Sequence, residues 1–276
     1  MMEPQTSVGA APPSQDVSPR SLRQHGLRYG VLGRVLDYHA TIGSTNEKAR
    51  ALAAAGWPEG TVVLAEEQTS GRGRKGRLWH SPRGEGIFLS VLLRPPGDAL
   101  EVARLTLVAG VAVVEAVEAT TGVRLGLKWP NDLLYGGAKV GGILTENTSG
   151  GQVIIGIGIN ANQTEFPSEL KNKATSLLLA AGHPVDRAAI AVALLQHLEA
   201  LYGAFLGGAL SSILDDWRRY SVTLGQRVRV VIDQDVLEGV AVDIDDHGAL
   251  ILEVEEEGVA RTERLWAGEI TMLRPV

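Results

Sequence analysis

The sequence contains no cysteine, which excludes disulfide bonds, thiolate zinc sites, iron–sulfur clusters and cysteine nucleophiles. Its six histidines are scattered and form neither an i, i+4 pair nor an HExxH motif, so we expect no metal site built from protein ligands alone. A Mg²⁺ ion carried in by a phosphate ligand remains compatible with this composition.

The chain also lacks an excess of positive charge and lacks a long apolar run. Its 26 lysines and arginines face 32 acidic residues, and a net charge of −6 argues against a dedicated nucleic-acid-binding surface. No apolar segment approaches the roughly 20 residues that span a bilayer, and the N-terminus shows no basic stretch followed by an apolar one. We therefore expect a cytoplasmic protein with neither a membrane nor a nucleic acid as its partner.

Three segments of different character follow one another along the chain. Residues 1–26 are rich in Pro, Ser, Gln and Ala and predict a disordered tail, which is too short for a helix-turn-helix domain. Residues 27–220 mix helical and strand patterns and predict the main domain. Residues 221–276 contain five short alternating segments separated by polar turns, which predict a small β domain.

Local patterns in the main segment place helices and strands. Ser44 and Glu47 have the spacing of a capping box at the start of a helix. The apolar run over residues 100–120 predicts a long helix that ends at Gly122. Glycine turns within residues 125–160 predict an antiparallel meander. The predicted fold class is α+β, with a central mixed or antiparallel sheet and flanking helices.

The sharpest local signal is the segment GRGRKGR at residues 71–77, which has four cations among three glycines. Glycine lets the backbone approach a ligand, and the cations can bond carboxylate or phosphate oxygens. Its glycines match the GxGxxG spacing, but no helix pattern and no suitably placed acid follow, and Arg77-Leu78 stands where a P-loop requires Lys-Ser/Thr. An anion-binding loop is predicted, with a solvated loop as the alternative. Because its cations repel one another, we expect residues 71–86 to be mobile until an anion binds.

Neighbouring residues strengthen the prediction of a ligand site. Trp79 offers a flat apolar surface suited to stacking on a base. In KWPND, at residues 128–132, the proline interrupts a strand, so that Asn131 and Asp132 can turn into a cleft. Lys139 stands close to a pair of glycines that leave room for a ligand. The alternatives are a local Asx turn and an outward-facing lysine on a hairpin.

Five segments in order resemble those of the biotin protein ligases: STNE (44–47), EEQTSGRGRKGRLW (66–79), KWPNDLL (128–134), KVGGILTE (139–146) and GIGIN (156–160). The resemblance covers about residues 28–276. It implies a class II synthetase-like catalytic domain with a C-terminal SH3-like β-barrel. It also implies a monofunctional biotin–[acetyl-CoA-carboxylase] ligase without a DNA-binding domain.

The resemblance implies a reaction in two steps. Biotin and ATP, the latter with its Mg²⁺, would give biotinyl-5'-AMP and pyrophosphate, and biotin would then pass to a lysine of a biotin carboxyl carrier protein. Two anions must meet in the first step, and concentrated cations offset their repulsion. A lipoate-type ligase of the same superfamily and a nucleic-acid-binding protein that uses the basic loop stay open as alternatives. A homodimer is also open.

The resemblance assigns roles to individual residues. Lys139, Arg74 and Asp132 would be catalytic. The biotin site would comprise Ser44, Thr45, Asn46, Gln68, Arg72, Gly73, Arg74, Trp129, Lys139, Gly141 and Gly142. The ATP or adenylate site would comprise Arg72, Arg74, Arg77, Trp79, Lys128, Asn131 and Asn160.

Overall fold

Two β-sheets organise the protein, of which the computed structural model describes residues 16–28, 30–96, 101–232, 234–256 and 259–273. The strands are β1 (Leu36–His39), β2 (Val62–Ala65), β3 (Gly86–Leu93), β4 (Gly126–Lys128), β5 (Asp132–Tyr135), β6 (Ala138–Asn147), β7 (Val153–Asn160), β8 (Arg227–Ile232), β9 (Asp235–Ile244), β10 (Leu250–Glu256), β11 (Val259–Leu265) and β12 (Glu269–Met272). The helices are α1 (Pro19–Gln24), α2 (Thr45–Ala54), α3 (Glu101–Thr121), α4 (Leu177–Ala181), α5 (Arg187–Leu206) and α6 (Leu210–Tyr220), and two short 3₁₀ helices span Arg74–Gly76 and Ser168–Leu170.

The larger sheet has seven strands in the order β1-β2-β3-β7-β6-β5-β4. Strands β1 and β2 run parallel, and the other neighbouring pairs are antiparallel. The meander predicted over residues 125–160 is confirmed, because β4, β5, β6 and β7 pair in sequence. The five C-terminal strands form an antiparallel sheet in the order β11-β10-β9-β8-β12. The α+β class and the C-terminal β domain are confirmed.

The two faces of the larger sheet are covered by different helices. Successive side chains of a strand point to opposite faces. Leu89 and Val91 belong to the main core, which includes α3 and α5. Leu92 and Ile154 point the other way and pack under α2. Helix α2 therefore covers the second face, and its first turn lies where that face opens to solvent.

Helix α3 ends at the predicted glycine, and α5 is an unexpectedly apolar helix. Gly122 follows α3 with φ of +71°, and the side chain of Asp186 accepts the first free N–H groups of α5. Helix α5 is long and apolar enough to cross a membrane. Nine of its residues are buried and it packs against α3, as expected of a core helix in a folded domain.

The structure corrects the prediction of a disordered tail for residues 16–26, whereas residues 1–15 lie outside the described residues. Val17 and Leu22 are fully buried, and Leu22 belongs to α1. The N–H of Val17 donates to Glu66 Oε1 at 2.8 Å, and the other oxygen of Glu66 accepts from Arg187 at 2.9 Å. Composition alone missed this because the anchoring groups lie 49 and more residues away in the sequence.

The C-terminal sheet is fastened to the larger one by hydrogen bonds at several points. Arg218 of α6 donates to Asp243 Oδ1 and to the carbonyl of Ile244, both at 2.7 Å. The indole N–H of Trp129 donates to the carbonyl of Gly248 at 3.0 Å. These bonds hold β9 and the turn after it against α6 and the segment that follows β4.

We predict that Leu22→Ala lowers the free energy of unfolding by about 2–5 kcal/mol, because it removes a fully buried side chain from the main core. The control is Val259→Ala, at a position that is 67% exposed, and we expect a change within about 0.5 kcal/mol. Urea unfolding of both variants checks this. Equal midpoints for the two variants would show that α1 contributes nothing to stability.

Candidate active site

One cavity of about 460 Å³ opens where α2, the basic loop, β6, β7 and β12 converge. All but one of the residues that the sequence analysis selected line it. Those residues are Ser44, Thr45, Asn46, Gln68, Arg72, Gly73, Arg74, Arg77, Trp79, Lys128, Trp129, Asn131, Asp132, Lys139, Gly142 and Asn160. The structure thus brings together segments that are more than 100 residues apart.

Gly141 is the exception, because it faces away from the cavity. A Cβ at this position would lie 2.8 Å from Leu133 Cδ1, within the main core. A Cβ at Gly142 would instead lie 3.2 Å from Lys139 Nζ, inside the cavity. Adjacent strand residues point to opposite faces, so only one of the two glycines can open the site. Gly141 is therefore placed outside the cavity lining, and its contact with biotin stays a prediction.

The start of α2 differs from the predicted capping box. Ser44 occupies the N-cap position, but its side chain makes no capping hydrogen bond. Glu47 forms an ion pair with Arg72 of the basic loop. The Ser44 hydroxyl is therefore not consumed by the helix, and it lies at the wall of the cavity.

A chain of neutral polar groups lines the α2 end of the cavity. Gln68 Oε1 accepts from the N–H of Thr45 at 2.9 Å and from the Thr45 hydroxyl at 3.1 Å. Gln68 Nε2 donates to Ser81 Oγ at 3.0 Å. This fixes the orientation of the Gln68 amide and leaves its second N–H without a partner among the described residues.

Asn46 also lines the cavity, but its amide is engaged within the protein. Its nitrogen donates to the carbonyl of Leu144 at 3.2 Å and to Glu146 Oε2 at 2.8 Å. The side chain thereby ties α2 to β6. Asn46 was expected to contact biotin, and these contacts assign it a supporting position in the wall.

The cations of the basic loop are paired with protein groups in this structure, while the ligand-dependent mobility expected for residues 71–86 stays a prediction. Arg74 donates to Asn131 Oδ1 at 3.0 Å and to the carbonyl of Gly268 at 3.4 Å. Arg77 Nη2 lies 2.5 Å from Glu269 Oε1, and Lys75 Nζ lies 3.8 Å from the same oxygen. Carboxylates and an amide oxygen thus occupy the cations in the structure described.

Lys139 lies at the centre of the cavity floor. Its Nζ is 2.5 Å from Asp132 Oδ1 and 5.4 Å from the centroid of the Trp79 ring. The indole rests on β7, since a Cβ at Gly158 would lie 2.5 Å from Trp79 Nε1. That Nε1 atom is buried and has no hydrogen-bond partner among the described residues. An ammonium group and an aromatic surface are therefore presented side by side.

Asn160 lines the cavity, but its amide holds a neighbouring segment in place. The nitrogen donates to the carbonyls of Thr175 at 3.0 Å and Lys139 at 3.4 Å, and the oxygen accepts from Gln163 at 3.3 Å. Lys139 N–H donates in turn to the carbonyl of Lys173. Asn160 was expected at the adenine end; in this structure its polar atoms are used to anchor residues 173–175 beside β6.

The cavity is strongly positive although the protein is acidic overall. Six cations line it, namely Arg72, Arg74, Arg77, Lys128, Lys139 and Lys173, against two carboxylates, Asp132 and Glu269. Burial lowers the pKa of Lys128 below that of an ordinary lysine; Asp132 counteracts this and Lys139 adds to it. Burial also lowers the pKa of Arg74. Such a cavity favours an anionic ligand.

Several lining residues escaped the sequence analysis. Glu269 and Gly268 come from the C-terminal domain, and Arg77 and Glu269 are 192 residues apart, so no local pattern could connect them. Gly156 and Gly158 line the floor; their alternation with isoleucine in GIGIN was a usable signal, since it predicts two glycines on one face of a strand. Lys173 carries no local signal.

Protein ligands for a resident metal are absent from this part of the structure. Among the described residues, no group of three or more His, Cys, Asp or Glu side chains could hold a metal ion. Of the two carboxylates in the cavity, Asp132 is paired with Lys139 and Glu269 with Arg77.

Comparison with known proteins relates both domains to one family. The sequence model of the Biotin/lipoate A/B protein ligase family matches residues 38–160, and that of the Biotin protein ligase C terminal domain matches residues 223–273. The chain is 42% identical over 237 residues to a bifunctional ligase/repressor BirA of Bacillus subtilis, covering 84% of this chain and 73% of that protein. It is 41% identical to a biotin–[acetyl-CoA-carboxylase] ligase of Mycobacterium tuberculosis, covering 92% and 95%.

Solved structures agree with these relationships. The biotin protein ligase of Aquifex aeolicus in complex with biotin and ATP superposes with a TM-score of 0.76 at 30% identity, covering 88% of this chain and 100% of that one. The Leishmania major ligase in complex with biotinyl-5-AMP gives 0.56 at 25% identity, covering 84% and 98%. The ligase prediction therefore prevails over the lipoate-type and nucleic-acid-binding alternatives, and the chain belongs to the biotin protein ligase family, as a biotin–[acetyl-CoA-carboxylase] ligase.

Proposed function

We propose that the protein joins biotin to ATP in the 460 Å³ cavity and then transfers biotin to a lysine of a biotin carboxyl carrier protein. The observation that carries this proposal is the excess of cations over carboxylates at one end of the cavity, beside a neutral polar end. The Aquifex aeolicus relative binds biotin and ATP, and the Leishmania major relative binds biotinyl-5-AMP. We propose that this chain binds the same ligands.

The neutral end suits the ureido ring of biotin. A ureido group offers two N–H donors and one carbonyl acceptor, and it carries no charge. The free hydroxyl of Ser44, the hydroxyl of Thr45 and the remaining N–H of Gln68 supply matching groups without burying an uncompensated charge.

The charged end suits the first step. A carboxylate oxygen of biotin attacks the α-phosphorus of ATP, a C–O–P linkage forms, and the bond to the β-phosphate breaks and releases pyrophosphate. Lys139 would bridge carboxylate and α-phosphate, with Arg72 and Arg74 beside it and with Arg77 and Lys128 on the leaving phosphates. Donors that are already positioned stabilise the developing charge most effectively.

In the second step, the amine of the carrier lysine attacks the acyl carbon of the adenylate, an amide forms and AMP leaves. The amine must lose a proton, which the Asp132 carboxylate would accept. Asp132, paired with Lys139 at 2.5 Å, would orient the amine, and the Trp79 ring would stack on adenine. Closure of the basic loop would keep water from the mixed anhydride.

Mg²⁺ would enter with ATP and be held mainly by phosphate oxygens. This follows from the donor set, since the cavity has two carboxylates and both are paired with cations. When bound, the ion would neutralise phosphate charge. A cytoplasmic location and a possible homodimer stay predictions.

Lys139→Ala should lower biotin-dependent ATP–pyrophosphate exchange by about 100-fold to 1000-fold, because a charge-stabilising donor is lost from the transition state. Lys48→Ala serves as the matched control, since Lys48 pairs with Asp37 outside the cavity. We expect the control to keep wild-type exchange and both variants to keep the wild-type melting temperature. Wild-type exchange in Lys139→Ala would overturn this assignment.

The KM for ATP should depend on the protonation of Lys128. The lowered pKa means that Lys128 loses its proton, and with it its attraction for phosphate, at a lower pH than an ordinary lysine. In pyrophosphate exchange, KM for ATP should therefore rise as the pH increases toward this lowered pKa. Lys128→Arg should keep a low KM over the same range, because arginine stays charged. Identical profiles for the two proteins would contradict a phosphate role for Lys128.

Glu47→Gln should release Arg72 for the ligand and lower KM for biotin by about twofold to fivefold, since an exposed ion pair contributes up to about 1 kcal/mol. Glu67→Gln is the control, because Glu67 accepts a hydrogen bond from Thr41 instead. Steady-state exchange kinetics measure both. A raised KM for biotin in Glu47→Gln would show that Glu47 assists binding.

A further inference from the structure

A single polar residue stands in the middle of the apolar strand β3. Ser90 is fully buried and does not line the cavity. Its Oγ lies 2.8 Å from Thr45 Oγ1 and 2.6 Å from Asn46 Oδ1, so one hydroxyl contacts two consecutive residues in the first turn of α2. A buried hydroxyl without a hydrogen bond lowers the stability of the fold, so buried hydroxyls are usually paired. Both contacts of Ser90 are made to the same end of α2.

The residue opposite Ser90 on β7 makes room for this contact. Ser90 is paired with Gly156 across the two strands. A Cβ at Gly156 would lie 2.0 Å from Asn46 Oδ1, so the Asn46 amide occupies space that only glycine leaves open. Asn46 is further fixed by the carbonyl of Leu144 and the carboxylate of Glu146.

These contacts seat the first turn of α2 on the sheet. Ser44 gives that turn no side-chain cap, and the N–H of Thr45 donates to Gln68 Oε1 instead, while Ser90 contacts the Thr45 and Asn46 side chains from below. Thr45, held from below by Ser90, in turn fixes the oxygen of Gln68. The position of the neutral polar groups in the cavity therefore depends on a hydroxyl that lies outside the cavity.

We propose that Ser90 is a positioning residue for the biotin end of the cavity, acting through Thr45 and Asn46, with Gly156 providing the space. This inference rests on the proposed function and deepens it, because it names what sets affinity for the ureido ring. The cations of the basic loop make no direct contact with Ser90 among the bonds described, so we expect KM for ATP to depend little on Ser90.

The test is Ser90→Ala, which removes the hydroxyl and leaves the Thr45 and Asn46 oxygens with one partner fewer. We expect KM for biotin in pyrophosphate exchange to rise about tenfold, while KM for ATP and kcat stay within about twofold. The matched control is Thr61→Val. Thr61 is also buried, it lies immediately before β2, and its hydroxyl donates to the carbonyl of Pro58, outside α2. It should leave both KM values unchanged.

A double-mutant cycle separates positioning from a general loss of packing. If Ser90 acts through Thr45, the effect of Ser90→Ala on KM for biotin should largely vanish in a Thr45→Val background. Ser90→Cys, which keeps a weak donor, should recover part of the affinity and covers the case in which the alanine variant does not fold.

The outcomes distinguish this inference from the function on which it rests. Parallel increases in KM for biotin and ATP, or unchanged values in Ser90→Ala and Ser90→Cys, would overturn the positioning role while wild-type exchange upholds the ligase function. Additive effects in the cycle would also overturn it. Absence of biotin-dependent exchange in the wild-type protein would instead overturn the proposed function.

Discussion

Crowding of like charge is the constraint on which the rest of the structure depends. Six cations share one cavity in an acidic protein, and their mutual repulsion must be balanced whenever no anion is bound. Glu47 from α2, Asp132 from β5 and Glu269 from β12 provide that balance. The elements around the cavity are thus held together by the same charges that would receive the anionic parts of the substrates.

The C-terminal domain is part of this balance and completes the cavity. It contributes Glu269 and the Gly268 carbonyl to the basic loop, and its turn at Gly248 accepts the buried indole N–H of Trp129. Arg218 fixes the domain from the other side. A displaced C-terminal domain would leave three loop cations with fewer partners, so the integrity of the loop and the placement of the small sheet are coupled.

The cavity has two chemically different ends, and glycines make this division possible. Gly142, Gly156 and Gly158 keep the floor of β6 and β7 flat, so that the Asn46 amide, the Trp79 indole and the Lys139 ammonium can lie directly on the backbone. Neutral hydrogen-bonding groups gather at the start of α2, and the cations come from the basic loop, β4, β6 and Lys173. A substrate with an uncharged ring and an anionic tail fits such a gradient in one orientation.

The sequence by itself determined which segments form helices and strands and which residues were candidates for the site. Apolar runs, helix-end residues and glycine turns are local signals, so the long helix α3, the antiparallel meander over residues 125–160 and the five C-terminal strands were predicted. The basic glycine loop and Lys139 were selected because clustered charge among glycines has few structural explanations.

Only the tertiary structure decided which atoms of those residues are free. Gly141 faces the core because strand register fixes its side, and the amides of Asn46 and Asn160 are engaged by backbone carbonyls of distant segments. Residues 16–26 pack because Glu66, which is held by Arg187, accepts a hydrogen bond from the backbone of Val17. Glu269 reaches the basic loop from the C-terminal domain. Local sequence encodes the propensity of a segment, whereas these pairings depend on long-range geometry that no single segment contains.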